Sequence, residues 1–236
     1  MLVASGAALA TLAGCSSLTN TKGSASIDAP KTTPSGPGTS GPLPSSPNQH
    51  TYATMGRDDA AVDVTYVGNW KCPYCDQFEE SGFFPTLVSK YVATGKAQLT
   101  YRALAYGPKG KKPFLGSDSP RAARAGLAIW HTEPEKYWEY HAYAFANQPS
   151  EKKQWATTAN LVTFAKRVGC SSSTISTLKS ALNSSKYEPA LQQTVQYAGK
   201  HNLNGTPYVI INDSTVLNPL KPKQVKQALS SALNQS

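Results

Sequence analysis

Cysteine is scarce in this chain of 236 residues. The four cysteines, Cys15, Cys72, Cys75 and Cys170, are too few for the disulfide-dense scaffold that small secreted domains use in place of a large core. Histidine is equally sparse. His50, His131, His141 and His201 never fall at the H-x₃₋₅-H spacing of a zinc site, and there is no second C-x-x-C. A structural zinc ion usually draws its four ligands from two such pairs, so the single pair Cys72/Cys75 reads as half a metal site or as a redox motif, and no metal is expected. The apolar run 2–14 is too short to span a bilayer as a helix, which needs roughly 20 residues. Charge is modest, with Lys and Arg exceeding Asp and Glu for a net +9. The first fifty residues contribute +1 (Lys22 and Lys31 against Asp28), leaving +8 for the rest. The densest basic cluster, Lys109-Gly110-Lys111-Lys112, has no interleaved aromatics. It reads as a solvated loop, and nucleic acid is not an expected partner.

The apolar and small residues 2–14 fit the h-region of an export signal. They end in Leu12-Ala13-Gly14-Cys15-Ser16-Ser17, which resembles the bacterial lipobox, although no Lys or Arg precedes the run. By that resemblance residues 1–15 are a lipoprotein signal peptide, Cys15 is a lipid-attachment site, and the chain is extracytoplasmic and anchored to the cell membrane. Residues 16–50 are dominated by Ser, Thr, Pro and Gly. Such a segment lacks the apolar surface to offset the entropy of ordering, and it is expected to be a disordered tether. Residues 51–236 suit one domain with a sizeable core.

Within that domain Val62, Val64 and Tyr66, with Val67 off register, predict a central strand over 61–68. Trp70-Lys71-Cys72-Pro73-Tyr74-Cys75 follows at once. Proline is tolerated in the first turn of a helix, so Cys72 opens one. Phe84, Leu87, Val88, Tyr91 and Val92 continue a helical face, and Gly82 and Pro85 are expected to kink or divide it. A second strand is predicted over 97–106. A helical insertion is predicted over about 118–202, in which Trp130, Tyr137, Trp138, Tyr140, Tyr143 and Phe145 read as core. Gly205-Thr206-Pro207 leads into a β-prone run. Asn212-Asp213 turns it into a return strand, and Pro222 starts a last helix.

A strand feeding a helix through C-x-x-C, a helical insertion, then Thr-Pro before a strand: over residues 55–236 this resembles the DsbA-like family of exported thiol–disulfide oxidoreductases. Met55 to Ala60 resembles the family's lead-in, Cys72-Pro73-Tyr74-Cys75 its active site, Leu161 to Leu182, with Asn160 in front, the last part of its helical domain, and Gly205-Thr206-Pro207 its cis-proline loop. The fold class implied is α/β, a thioredoxin-like fold with an inserted helical domain. The sequence departs from the family at two places. Tyr66 stands where members often carry an acidic residue six positions before the first cysteine, and Cys170 stands at an often acidic position.

Thiol–disulfide exchange requires a thiolate, whereas a free cysteine with a pKa of about 8.5 is mostly protonated at neutral pH. At a helix N-terminus, Cys72 is stabilised as an anion by unpaired N–H groups and the macrodipole. The neighbouring Lys71 is expected to add positive charge. Cys72 is therefore the expected exposed nucleophile, and Cys75, one turn on, the resolving cysteine. The resemblance implies that Thr206 and cis-Pro207 bind an extended substrate, together with Pro73 and Tyr74. It implies no cofactor. The implied partners are cysteine-containing exported proteins, a redox partner that resets the Cys72–Cys75 pair, and the membrane through lipidated Cys15. Disulfide donation is the favoured direction. A reductase or isomerase of the same fold, and a non-catalytic envelope lipoprotein, stay open. Cys170 reads as a buried inert thiol, or else as one that forms an intermolecular disulfide or serves regulation.

Overall fold

The computed structural model describes residues 39, 41–80, 82–107, 110, 112–216 and 219–235. Cys15, the leader and most of the predicted tether lie outside the described residues.

Five strands form one mixed sheet in the order β1-β3-β2-β4-β5. They are β1 (Thr54–Met55), β2 (Val62–Gly68), β3 (Ala97–Ala103), β4 (Tyr208–Ile211) and β5 (Ser214–Val216). β2 and β3 run parallel, and the other pairs are antiparallel. Parallel neighbours need a crossover connection. Here α1 (Pro73–Glu80), α2 (Phe84–Leu87) and a π-helical turn over Val88–Val92 provide it. The predicted division near Gly82 is real: a Cβ there would lie 2.6 Å from the Phe78 carbonyl oxygen. Regular pairing of the second strand stops at Ala103, three residues short of the sequence estimate, and Tyr106 returns as a single bridge to Pro113.

Between β3 and β4 come α3 (Ser119–Trp130), α4 (Pro134–Ala146), α5 (Thr158–Arg167), α6 (Ser172–Leu182) and α7 (Glu188–Lys200), and α8 (Pro222–Leu233) closes the fold. Thr157 and Ser171 cap α5 and α6 through their side chains, each accepting the N–H three residues on. The main core joins the side chains of Val62, Val64 and Tyr66 to α1, α2, α8 and the inserted helices. Val67, out of register for that face, has its own partners on the opposite side of the sheet. It packs with Leu104, Val195, Ala198, Leu203 and Ile210, so α7 covers the second face. A strand buried on both faces loses strict alternation, which is why Val67 broke the pattern.

The N-terminal boundary differs from the expected one. Contacts with the domain begin inside the segment read as tether. Pro44 is buried, the Gly56 N–H donates to the Pro42 carbonyl at 2.7 Å, and Trp130 donates its indole N–H to the His50 carbonyl at 2.8 Å. Residues 41–50 have few apolar side chains of their own. They are held mainly through backbone groups that the domain satisfies, a signal that composition does not carry.

Trp70 is the keystone beneath the C-x-x-C segment. Its ring packs on Tyr101, Tyr137, Tyr140, His141 and Phe145, stacking on the last at 5.5 Å between centroids. Gly126 in α3 makes room for it, since a Cβ there would stand 2.7 Å from Trp70 Cζ2. Gly126→Ala should therefore lose about 1–3 kcal/mol to overpacking. That loss outweighs the roughly 1 kcal/mol that alanine gains over glycine within a helix. A thermal melt should show the midpoint a few degrees lower; an unchanged or higher midpoint would mean that Trp70 is free to yield.

Candidate active site

The loop from Asn69 to Cys72 is pinned before α1 begins. Asn69, fully buried, donates through Nδ2 to the Leu104 carbonyl at 2.8 Å and to Ser119 Oγ at 2.9 Å. Its Oδ1 accepts the Lys71 N–H at 2.8 Å. One side chain thus ties the end of β2 to the end of β3 and the start of α3. Nothing in the local sequence marks it, because an Asn after a Gly reads as an ordinary turn residue.

Lys71 corrects an expectation. Its side chain turns away from solvent and is buried, ion-paired with Asp118, and it donates to the Lys153 carbonyl at 2.9 Å. Asp118 also accepts the Ala156 N–H at 2.9 Å. The lysine charge is therefore consumed by a buried partner and is not offered to the Cys72 sulfur. Gly116, at φ 116°, allows this approach: a Cβ there would meet Lys71 Nζ at 2.5 Å. The pair joins the active-site loop to the segments before α3 and before α5, a long-range contact with no local signature.

Cys72 and Cys75 are free thiols at the start of α1. The Cys75 and Asp76 N–H groups both point to the Cys72 carbonyl, at 3.1 and 3.2 Å. Cys72 was expected to be exposed, yet it is only 3% exposed. The Thr206 carbonyl stands over its sulfur at 3.3 Å. The Thr206–Pro207 peptide bond is cis and Pro207 is buried. Gln148, from the chain after α4, donates to the Cys72 carbonyl at 3.3 Å. Pro73 is exposed, and Tyr74, at 60%, is the large apolar side chain most open to solvent among the described residues. The fold therefore brings Cys72, Pro73, Tyr74, Cys75, Thr206 and Pro207 to one place. A sequence separation of more than 130 residues is closed by the sheet, in which β2 and β4 are neighbours. Cys170 lies elsewhere, 8% exposed, with its thiol pushed up to about 12, first by burial and then by Glu133. Among the described residues no three His, Cys, Asp or Glu side chains cluster as metal ligands.

The two sulfurs of the pair are driven apart in acidity. Cys72 is lowered to about 6, chiefly because the Cys75 thiol donates a hydrogen bond to it. Burial opposes the shift, and the Thr206 side chain and the backbone N–H groups of Cys75 and Tyr74 reinforce it. Cys75 is pushed well up, first by burial and then by its proximity to Cys72, although the Asn69 N–H reaches its sulfur at 3.4 Å. One proton between two sulfurs thus stays on the inner one. Iodoacetamide should accordingly label Cys72 with a rate that rises through a midpoint near pH 6 and leave Cys75 untouched across neutral pH. Lys71→Met should keep that midpoint while costing about 3–5 kcal/mol of stability, since Asp118 is then buried without its partner. A midpoint displaced toward the free-cysteine value of about 8.5 in the wild type would refute the assignment, and in Lys71→Met alone it would return the lysine to the site.

A site of this kind is shared with known proteins. A family model described as Thioredoxin matches residues 48–231. Disulfide bond formation protein D of Bacillus subtilis (strain 168) is 27% identical over 181 residues, 76% of each chain. The probable disulfide bond formation protein D of Bacillus cereus is 28% identical over 162 residues, 69% of this chain and 70% of that one. Among solved structures, oxidised BdbD from Bacillus subtilis superposes with a TM-score of 0.69 at 25% identity, covering 84% of this chain and 98% of its own. Chlamydia trachomatis DsbA shares the fold, with a TM-score of 0.65 at 21% identity over 78% of this chain and 93% of its own. With a lowered and a raised thiol side by side at the head of α1, the chain belongs to the thioredoxin family as a DsbA-like thiol–disulfide oxidoreductase.

Proposed function

We propose that this enzyme works outside the cytoplasm as a disulfide donor to exported proteins, held at the membrane by a lipid on Cys15. The observation that carries the direction is the depressed acidity of Cys72 beside a buried Cys75 thiol. A stable Cys72 thiolate favours the reduced form of the enzyme, and so makes its disulfide the more oxidising. Relatives named for disulfide bond formation support the same direction. The leader and the lipobox-like Leu12-Ala13-Gly14-Cys15 support export and tethering. No helix among the described residues is long and apolar enough to cross a membrane.

In this reading a client thiolate attacks the Cys72–Cys75 disulfide at Cys72, and Cys75 leaves. A second client thiolate then attacks the mixed disulfide and releases Cys72. The client gains an S–S bond, the enzyme ends as a dithiol, and the disulfide of a redox partner resets it. The Thr206 carbonyl lies against the Cys72 sulfur, and in this reading the Thr206–Pro207 loop offers its backbone to an extended client segment as an added strand. Pro73 and Tyr74, both exposed beside Cys72, are the side chains open to the client.

The decisive measurement is the reduction potential of the pair against glutathione. A disulfide donor should come out near roughly −120 mV, and a value near about −270 mV would make the chain a reductant. In cells, Cys75→Ser should accumulate mixed disulfides between Cys72 and exported proteins. Cys15→Ala should release the protein from the membrane fraction. A trap that captures only cytoplasmic proteins would overturn the location, and membrane retention of Cys15→Ala would overturn the lipid anchor.

A further inference from the structure

Two segments meet the active-site loop from outside, and both carry lysines that the exchange chemistry does not use. The first is the loop after β3. It is closed by the Tyr106–Pro113 bridge and by the Gly107 N–H, which donates to the Lys112 carbonyl at 2.8 Å. At its foot the Phe114 carbonyl accepts from Asn69 Nδ2 at 3.3 Å. Gly107 and Phe114 line one small cavity with Leu203 and Asn204, so the same loop abuts the chain two residues before Thr206. The second segment follows α4. It begins at Gln148, which donates to the Cys72 carbonyl, and reaches Lys153, whose own carbonyl accepts from Lys71.

Both segments are thus fixed to residues 69–72 through main-chain carbonyls, which leaves the lysine side chains to solvent. Lys112, Lys152 and Lys153 are exposed, and none has an ion-pair partner among the described residues. By sequence the two segments, 107–114 and 148–154, hold five lysines and one carboxylate, Glu151. Asp118, the acid next to them, is already held by Lys71 and the Ala156 N–H. Asp76, in the first turn of α1, is the acid that follows the pair. The balance around Cys72 is therefore positive, and it is made of lysines with no structural duty.

We propose that these two segments form a basic rim that selects clients with Asp or Glu beside the reacting cysteine. Negative charge next to a thiol disfavours its thiolate, so such a cysteine is a slow nucleophile in free solution. Within the rim its carboxylates meet lysines, which restores the thiolate and steers the encounter toward Cys72. The client thiolate then bonds to Cys72, the Cys72–Cys75 bond breaks, and its electron pair stays on Cys75. The inference rests on the reading of this enzyme as a disulfide donor to exported proteins.

An anionic lipid surface would also attract lysines, but the N-terminal strap favours the client. The Pro42 carbonyl accepts from Gly56, and a Cβ on Gly56 would stand 2.8 Å from the Ala97 carbonyl at the start of β3. β2 and β3 run parallel with Val62 beside Ala97, and Cys72 lies beyond the far end of β2. Strap and rim therefore sit at opposite ends of the sheet, and a chain anchored through the strap presents its rim away from the anchor.

The test uses the full-length oxidised protein and three two-cysteine peptides that differ only in the residues flanking the cysteines: Asp, Ser or Lys. Second-order rates of peptide oxidation are followed at neutral pH by quenching and alkylating the remaining thiols. At an ionic strength of about 0.01 M, where screening extends over about 30 Å, the Asp peptide should react about tenfold or more faster than the Lys peptide. At about 1 M salt, where that length falls to about 3 Å, the two rates should converge. Combining Lys112→Gln, Lys152→Gln and Lys153→Gln should erase the preference. All three side chains are exposed, and the Lys153 carbonyl that holds Lys71 belongs to the backbone, so the fold is kept. A ratio of two peptides on one protein is blind to a general loss of activity. Equal rates at low salt, or a preference that survives in the triple variant, would overturn the rim and leave the donor reading intact. Failure to oxidise any of the peptides would overturn both. Vesicles of equal parts phosphatidylserine and phosphatidylcholine should leave the Asp peptide's rate unchanged; if they slow it, the lysines serve a lipid surface and the client rim is wrong.

Discussion

One constraint, the complete burial of Cys75 beside Cys72 at the head of α1, sets the chemistry of this molecule: it pushes the Cys75 thiol up while its neighbour Cys72 is lowered. Much of the surrounding structure serves that burial. β2 ends so that Asn69 can tie its tip to β3 and α3, and the same residue points its N–H at Cys75. Trp70, wedged between sheet and insertion, seals the layer below. The buried Lys71–Asp118 pair fixes the approach of the loop from the other side. If the Cys75 pocket loosened enough to admit water, the two thiols would approach the same acidity, and the difference that directs attack to Cys72 would shrink.

The inserted helices act on the same constraint. They contribute α4, whose Tyr137, Tyr140, His141 and Phe145 line the space under Trp70, and the segment after it, which sends Gln148 to the Cys72 backbone. In this chain the insertion is therefore part of the wall of the site. Glu79 shows the mutual dependence most directly. It belongs to the active-site helix, its only hydrogen-bonding partner among the described contacts is His141 of the insertion, and neither group would tolerate burial without the other.

Much of this could be read in the sequence, because it is local. A strand that ends at a glycine, C-x-x-C with proline after the first cysteine, apolar residues at helical spacing and an Asn-Asp turn each carry their own periodicity or backbone preference. The dense aromatics of α4 were legible as core for the same reason. What stayed hidden depends on contacts between distant parts of the chain. Lys71 looks solvent-exposed until Asp118 is folded against it. Glu79 looks like any surface acid in the run Gln77-Phe78-Glu79-Glu80, and only the third dimension separates it from Glu80, which is exposed. The covering of Cys72 by Thr206 is likewise invisible in either segment alone.

The sheet itself has a property that bears on how it meets other chains. Among the described residues both of its outer strands are short, β1 of two residues and β5 of three. An open edge is a template on which any extended segment can pair, and that is how sheets recruit unwanted partners. Here each border offers so few unpaired N–H and C=O groups that a passing strand gains little register. On the proposed reading, an enzyme that exchanges disulfides with extended polypeptide must hold it long enough to react without joining it, and borders this brief limit adhesion to places where the chemistry is.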